Sequence, residues 1–365
     1  HRLGHAGGRG VGDLHPGAGE GGAGLLEGGD GRLAGAVSHA GGLGFIGAGY
    51  YSRDTLTAEI NAARAVVGEN DGRLPIGIGF LAWRLDDLPR ADAEALVHTA
   101  LGARPTALWF SYGAPGSIER WCAYAKQAAQ PAPPSMFVTA STLEAFHQLQ
   151  QHNCIDAIVV QGLEAGGHGL GSGQPRDELL LDVVRTTDAT RRPKLLSAGG
   201  IADGRDIAAQ LTLGADAVVL GTRFLLTPEA AYADAQKQLL LQAQGHDTVR
   251  SMAFDDARGT TNWPAGIDGR GLRSATVDDY EAAAQHLSWA EQQAQQGRVP
   301  GIEARQERYR TALAQGETER MITWAGTGVG AMHDIVPAAA LVERLAHEAR
   351  RALADAHARL DAPIS

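Results

Sequence analysis

Much of what would place this chain quickly is missing from it. It has two cysteines, Cys122 and Cys154, too few for a disulfide framework or a cysteine metal cluster, so a reducing, cytoplasmic setting is expected. No run of 18 or more apolar residues exists, and the N-terminus has no secretory apolar core, which argues against a membrane partner. Basic residues are outnumbered, 32 Lys and Arg against 42 Asp and Glu, a formal net charge of −10. That balance disfavours a nucleic-acid partner. There is no G-x-x-x-x-G-K-[ST], no H-E-x-x-H, no C-x-x-C and no G-x-S-x-G, and with them go the chemistries those motifs carry.

What is present is a regular alternation. Seven short apolar runs read as buried strands: Leu43–Ala48, Ile76–Phe80, Ala107–Ser111, Met136–Ala140, Ala157–Gln161, Lys194–Ser197 and Ala217–Leu220. Helix-permissive stretches lie between them: Arg53–Val67, Ala91–Gly102, Ser117–Ala129, Thr142–His152, Arg176–Thr187 and Asp203–Leu213. Ser141-Thr142-Leu143-Glu144 has the form of a helix N-cap. Apolar strands each followed by a helix imply a parallel sheet covered on its faces. An open doubly wound sheet and an eight-stranded barrel both fit this count. Glycine-rich loops after the last two strands, Ser197-Ala198-Gly199-Gly200-Ile201 and Leu220-Gly221-Thr222-Arg223, favour the barrel. Loops in those places commonly bind phosphate, through bare backbone N–H groups and a hydroxyl at a helix start. Asp203 is the expected cap of the helix after the first.

The stretch Ala157–Gly171 draws the most attention. Its strand ends at Gln161 and empties into Glu164-Ala165-Gly166-Gly167-His168-Gly169. Glycines there permit sharp turns and close approach to a ligand, and one ionisable side chain stands among them. The residues alone allow either an ordinary turn with a surface histidine or a reactive loop. Elsewhere, Gly42-Leu43-Gly44-Phe45-Ile46-Gly47 fits G-x-G-x-x-G, but its glycines precede or sit within a strand instead of following one, so it is not read as a dinucleotide fingerprint. His147, His152, His286 and His347 have polar neighbours and read as solvated, and His333 follows a late glycine-rich segment as a secondary candidate. Trp83, Trp109, Trp263 and Trp324 read as core or interface residues, with Trp109 placed to face a pocket.

Three segments in this order and spacing, Gln161–His168, Ser197–Gly204 and Leu213–Phe224, resemble the nitronate monooxygenase family, formerly 2-nitropropane dioxygenases. Ala40–Gly47 is similar to that family's second strand, and Trp324–Gly330 to the tail of its longer, fungal-type members. The resemblance runs from about Leu33 to about Leu353. It implies a TIM (β/α)8-type barrel, an FMN cofactor, small nitronate or nitroalkane substrates with O2, and a possible homodimer. By position, His168 corresponds to the catalytic base. Gly199, Gly200, Gly221 and Thr222, with Leu220 before them, correspond to the phosphate site, and Gln161, Gly166, Gly167 and Gly79 to the ring and ribityl contacts. No metal is implied. Glu164 is expected to be a structural hydrogen-bonding residue. The nearest rival in the same fold is an FMN-dependent enoyl-ACP reductase using NAD(P)H, and a non-catalytic, degenerate flavin-binding barrel is a third reading.

The expected organisation is a glycine-rich, flexible or non-native segment at 1–31, an α/β barrel at 32–226 and 318–365, and a helical lid or substrate subdomain at 227–317. Pro337–Ala356 is expected to supply the eighth barrel helix. One departure from the resemblance stands out. The chain starts at His1 instead of Met, and residues 1–31 contain no recognisable first barrel strand with the Ala-Pro-Met-type turn of the family. A barrel short of one strand would leave two edges and one side of the flavin site exposed.

Overall fold

The computed structural model describes residues 4–5, 30–288, 291–292 and 299–360; most of the 1–31 segment lies outside them. Eight parallel strands form one sheet in the order β1-β9-β8-β6-β5-β4-β3-β2. These are β1 (Gly4–His5), β2 (Phe45–Gly47), β3 (Leu74–Leu81), β4 (Pro105–Ser111), β5 (Ser135–Ala140), β6 (Ala157–Gln161), β8 (Lys194–Ala198) and β9 (Ala217–Leu220). From β2 to β9 each strand lies beside the next one of this sheet in chain order, and β1 lies beside β9, the order of a (β/α)8 barrel opened between β1 and β2. Hydrogen bonding stops at β1 on one side and β2 on the other, so the sheet is curled in barrel fashion without a closed ladder among the described residues.

A first strand that the sequence does not announce is present. Gly4 pairs with Val219 and His5 with Leu220 in parallel register, which puts a two-residue β1 beside β9. No apolar run in the sequence marks it.

Helices cover the outside. Their starts follow side-chain caps where the sequence provides them. Thr142 accepts from the Ala145 N–H at 3.1 Å ahead of α6 (Leu143–Leu149), and Asp203 accepts from Arg205 and Asp206 ahead of α8 (Gly204–Leu213). Such caps satisfy N–H groups that have no partner within the helix. Between sheet and helices lies the largest apolar cluster, with Ile78, Leu108, Phe110, Val138, Ile158 and Leu195 pointing outward from the strands. The barrel interior holds a smaller one, with Phe45, Trp109, Val159, Leu196 and Val219. The last helix, Ala338–Leu360, packs Leu341 and Leu345 against Leu33 and Val37 of α1 (Gly31–His39) and Ile207 of α8. It thus occupies the eighth helix position.

The segment 227–317 is not purely helical. Besides α10 (Asp234–Gln242), α11 (Ala253–Arg258), α12 (Ala275–Ala284) and the helix Ile302–Gln315, it contains β10 (Thr248–Ser251) and β11 (Ile267–Leu272). These two strands form an antiparallel sheet with β7 (Gly167–Leu170), which lies within the loop after β6. The segment has its own apolar core, including Leu240, Phe254, Val277, Tyr280 and Tyr309. The bidentate Asp256–Arg305 ion pair, at 2.6 and 2.7 Å, ties α11 to the helix Ile302–Gln315. It is therefore stitched to the barrel through the very loop that carries His168.

Candidate active site

A cavity of about 1380 Å³, counting its open mouth, lies at the C-terminal ends of the barrel strands. The strand ends place glycines around it: Gly47 and Gly79, then Gly166 and Gly167, Gly199 and Gly200, and Gly221. Phe45, Trp109 and Val159 rise from the barrel interior to line it, and Tyr50, Tyr112, Tyr232 and Trp324 form aromatic walls. None of its lining residues carries a charged side chain. An anion there would be held by backbone N–H groups and hydroxyls.

Of the residues singled out from the sequence, Gln161, Gly166, Gly167, Gly199, Gly200, Gly221, Thr222 and Gly79 all line this cavity, as does Trp109. Gly199 and Gly200 have φ of 114° and 65°, a backbone that side-chain-bearing residues rarely adopt. A Cβ placed on Gly221 meets no heavy atom within 4 Å, so that position faces empty space. Thr222 Oγ1 accepts the Gly326 N–H at 3.0 Å, which leaves its O–H to donate elsewhere. Leu220 departs from expectation: it does not line the cavity, and its side chain is buried in the outer cluster with Val218, Phe224 and Leu33. Because side chains alternate along a strand, Val219 takes the inward place. His333 is exposed and does not line the cavity.

Glu164 behaves as the structural residue expected, both carboxylate oxygens accepting the Arg176 N–H, at 3.2 and 2.9 Å. Arg176 in turn donates to the Gly199 carbonyl at 2.7 Å. One pair of side chains thereby fixes two of the glycine loops against each other.

His168 is not the accessible loop residue its flanking glycines suggest. It lies in β7, 1% exposed, and is not part of the cavity lining. Its Nε2 sits 2.9 and 2.8 Å from the two carboxylate oxygens of Asp255, which α11 delivers from the inserted segment. Trp263 stacks on the imidazole at a centroid distance of 3.8 Å and an interplanar angle of 13°, and Trp324 packs at 5.1 Å. The single O–H of Tyr112 lies 2.6 Å from the His168 carbonyl and 3.0 Å from Gln161 Oε1, two acceptors it shares, while Gln161 Nε2 donates to the same carbonyl at 3.2 Å. Tyr112 achieves this with φ of 55°, local strain of the kind that collects at functional sites. Arg250 completes the support, pairing with Asp268 and donating to the Gly169 carbonyl at 2.8 Å.

Burial opposes ionisation of Asp255 more than any other influence, but His168, Arg258 and the Thr260 hydroxyl together hold its carboxyl below the ordinary aspartate range. Asp255 is therefore a carboxylate at neutral pH. Nothing local in the sequence marks it, because it lies 87 residues beyond His168 in no motif. The tryptophans gave only the general signal of burial.

Comparison with known proteins gives the family and the fold. The nitronate monooxygenase family model matches residues 16–348, a span reaching further toward the N-terminus than the resemblance read from the motifs. A nitronate monooxygenase of Neurospora crassa is 31% identical over 339 residues, covering 87% of this chain and 85% of the relative. Among solved structures, nitroalkane oxidase from Streptomyces ansochromogenes superposes with a TM-score of 0.68 at 26% identity, covering 90% of this chain and 94% of that one. FabK from Thermotoga maritima, at 24% identity with a TM-score of 0.69 over 91% and 92% of the two chains, shares the fold.

Proposed function

The chain belongs to the nitronate monooxygenase family, and from that premise we propose that it binds FMN and oxidises alkyl nitronates with O2 to a carbonyl compound and nitrite. The observation that carries this reading is the ring of bare glycines around a charge-free cavity at the strand ends. The donor set fits FMN. Gly199, Gly200, Gly221 and Thr222 would hold the phosphate through N–H groups and one hydroxyl. Gln161, Gly166 and Gly167 would border the ring and ribityl chain, with Gly79 below, and Phe45 and Trp109 supply an apolar floor from the barrel interior. When bound, the flavin supplies the redox chemistry, and the protein supplies binding and orientation.

His168 is the proton acceptor in this reading. A nitronate is already deprotonated and needs no base, whereas a neutral nitroalkane must lose its α-proton. Contact with the imidazole requires the cover over it to withdraw. Trp263 is carried on a segment bounded by Gly259 (φ 73°) and Gly266 (φ 85°), and both glycines sit in the left-handed region that gives the segment its two turns.

His168→Asn tests the assignment. Activity on neutral nitroalkanes falls at least a hundredfold, within the range a general base contributes, while activity on the pre-formed nitronate falls far less. Equal losses on both substrates would argue that His168 only shapes the site.

A further inference from the structure

The bond between His168 and Asp255 constrains the chemistry of the ring beyond the assignment of a base. An ionised carboxylate only accepts hydrogen bonds, so the nitrogen facing it must carry hydrogen. Both Asp255 oxygens face Nε2, at 2.9 and 2.8 Å. Nε2 is then protonated whether the imidazole is neutral or charged, and the proton that comes and goes is the one on Nδ1. A carboxylate behind one ring nitrogen fixes the tautomer and makes the other more basic.

We propose that Asp255 is a positioning residue that confines the basicity of His168 to Nδ1 and so equips this chain for neutral nitroalkanes as well as nitronates. The substrate statement rests on the function proposed above, whereas the tautomer statement does not. A dyad of this kind has no use on a substrate that arrives already ionised. The inserted segment is then part of the catalytic apparatus in addition to covering it. It supplies Asp255 on α11, the stacking Trp263, and β11, whose Gly269 is in register with His168.

The surroundings are arranged to hold that carboxylate in place. Thr260 donates to Asp255 Oδ1 at 2.7 Å. Asp255 is 3% exposed, so water competes little for its oxygens. The charged and titratable groups around the pair are few. Arg258 lies on the same helix as Asp255, its guanidinium 5.8 Å from the Trp324 ring centre. Arg250 on β10 and Asp268 on β11 neutralise each other at the Gly169 carbonyl. Arg270 on β11 donates to the Leu163 carbonyl and the Thr248 hydroxyl. Tyr112 reaches the His168 carbonyl from the barrel. Asp255 is bonded to the ring at Nε2.

The sign of the pH effect follows. A carboxylate beside Nε2 stabilises the imidazolium relative to the neutral ring. Since the base must be deprotonated to work, the acid limb of the nitroalkane pH profile sits higher than it would without Asp255. Asp255→Asn moves that limb down by a unit or more. It also lowers the plateau on nitroalkane roughly 10- to 100-fold, the usual penalty for losing such a partner. The nitronate rate changes less, so the nitroalkane-to-nitronate ratio drops. Asp255→Glu restores part of the ratio.

The decisive readout needs no turnover. In 15N NMR of the purified wild-type protein, with His168 identified by comparison with His168→Asn, Nε2 keeps a protonated-nitrogen shift across the accessible pH range while Nδ1 titrates. An Nε2 that loses its proton at high pH, or an unchanged acid limb with equal losses on both substrates in Asp255→Asn, overturns the proposal. If neither nitronate nor nitroalkane is turned over by the wild type, the functional reading fails while the NMR result still decides the tautomer.

Discussion

At Gly221 the backbone has φ of −110°, an angle any residue accepts, and an added side chain meets nothing within 4 Å. A larger residue there costs the fold little but enters the space assigned to the cofactor phosphate. Gly221→Val is therefore expected to keep its unfolding midpoint within a few degrees while losing tenfold or more in FMN affinity, measured by flavin fluorescence quenching. Gly44 is the contrast, since a Cβ there lies 2.0 Å from the Ala34 carbonyl oxygen, so substitution at Gly44 damages the fold itself. The cavity glycines were legible in the sequence because a glycine at a strand end has few other reasons to be there. Asp255 and Trp263 were not legible: their roles come from long-range packing against His168, and no local spacing encodes that. The side chain of Leu220 turns away from the cavity while that of Val219 lines it, since a motif match does not say which of two consecutive side chains points inward.

At the scale of elements, the strands β2 to β6, β8 and β9 were readable as apolar runs because both of their faces are buried. The sheet β10-β11-β7 was not. Its members, such as Gly-His-Gly-Leu in β7 and Ile-Asp-Gly-Arg-Gly-Leu in β11, are rich in glycine and charge and owe their form to one another. Within the insert, Asp256 is fully buried and Arg305 nearly so, and Arg305 also donates to the Pro300 and Val299 carbonyls. Removing one member leaves an uncompensated buried charge, which costs about 3–5 kcal/mol. Arg305→Met should destabilise the inserted segment by that amount in urea unfolding, and hydrogen exchange should accelerate in α11 before it does in the barrel. Asp256→Leu combined with Arg305→Met should recover much of the loss. An unaffected single variant would show that the two segments are held together by their apolar core alone.

Over the whole molecule, the barrel presents a cavity without charge, and the insert presents the histidine's partner and its cover. Among the described residues, no helix is long and apolar enough to cross a membrane, and no group of three or more His, Cys, Asp or Glu is placed to hold a metal. The glycines lining the cavity and His168 were readable from local motifs, whereas the partner proposed for His168, Asp255 on the insert, was not. The fold is shared with FabK, so fold alone does not choose the electron donor. The direct test is anaerobic mixing of the FMN-supplied protein with an alkyl nitronate in one cuvette and NADH in another, followed by admission of air. The account predicts loss of the visible flavin band with the nitronate alone and release of nitrite once oxygen enters. Rapid bleaching by NADH with no response to the nitronate would contradict it.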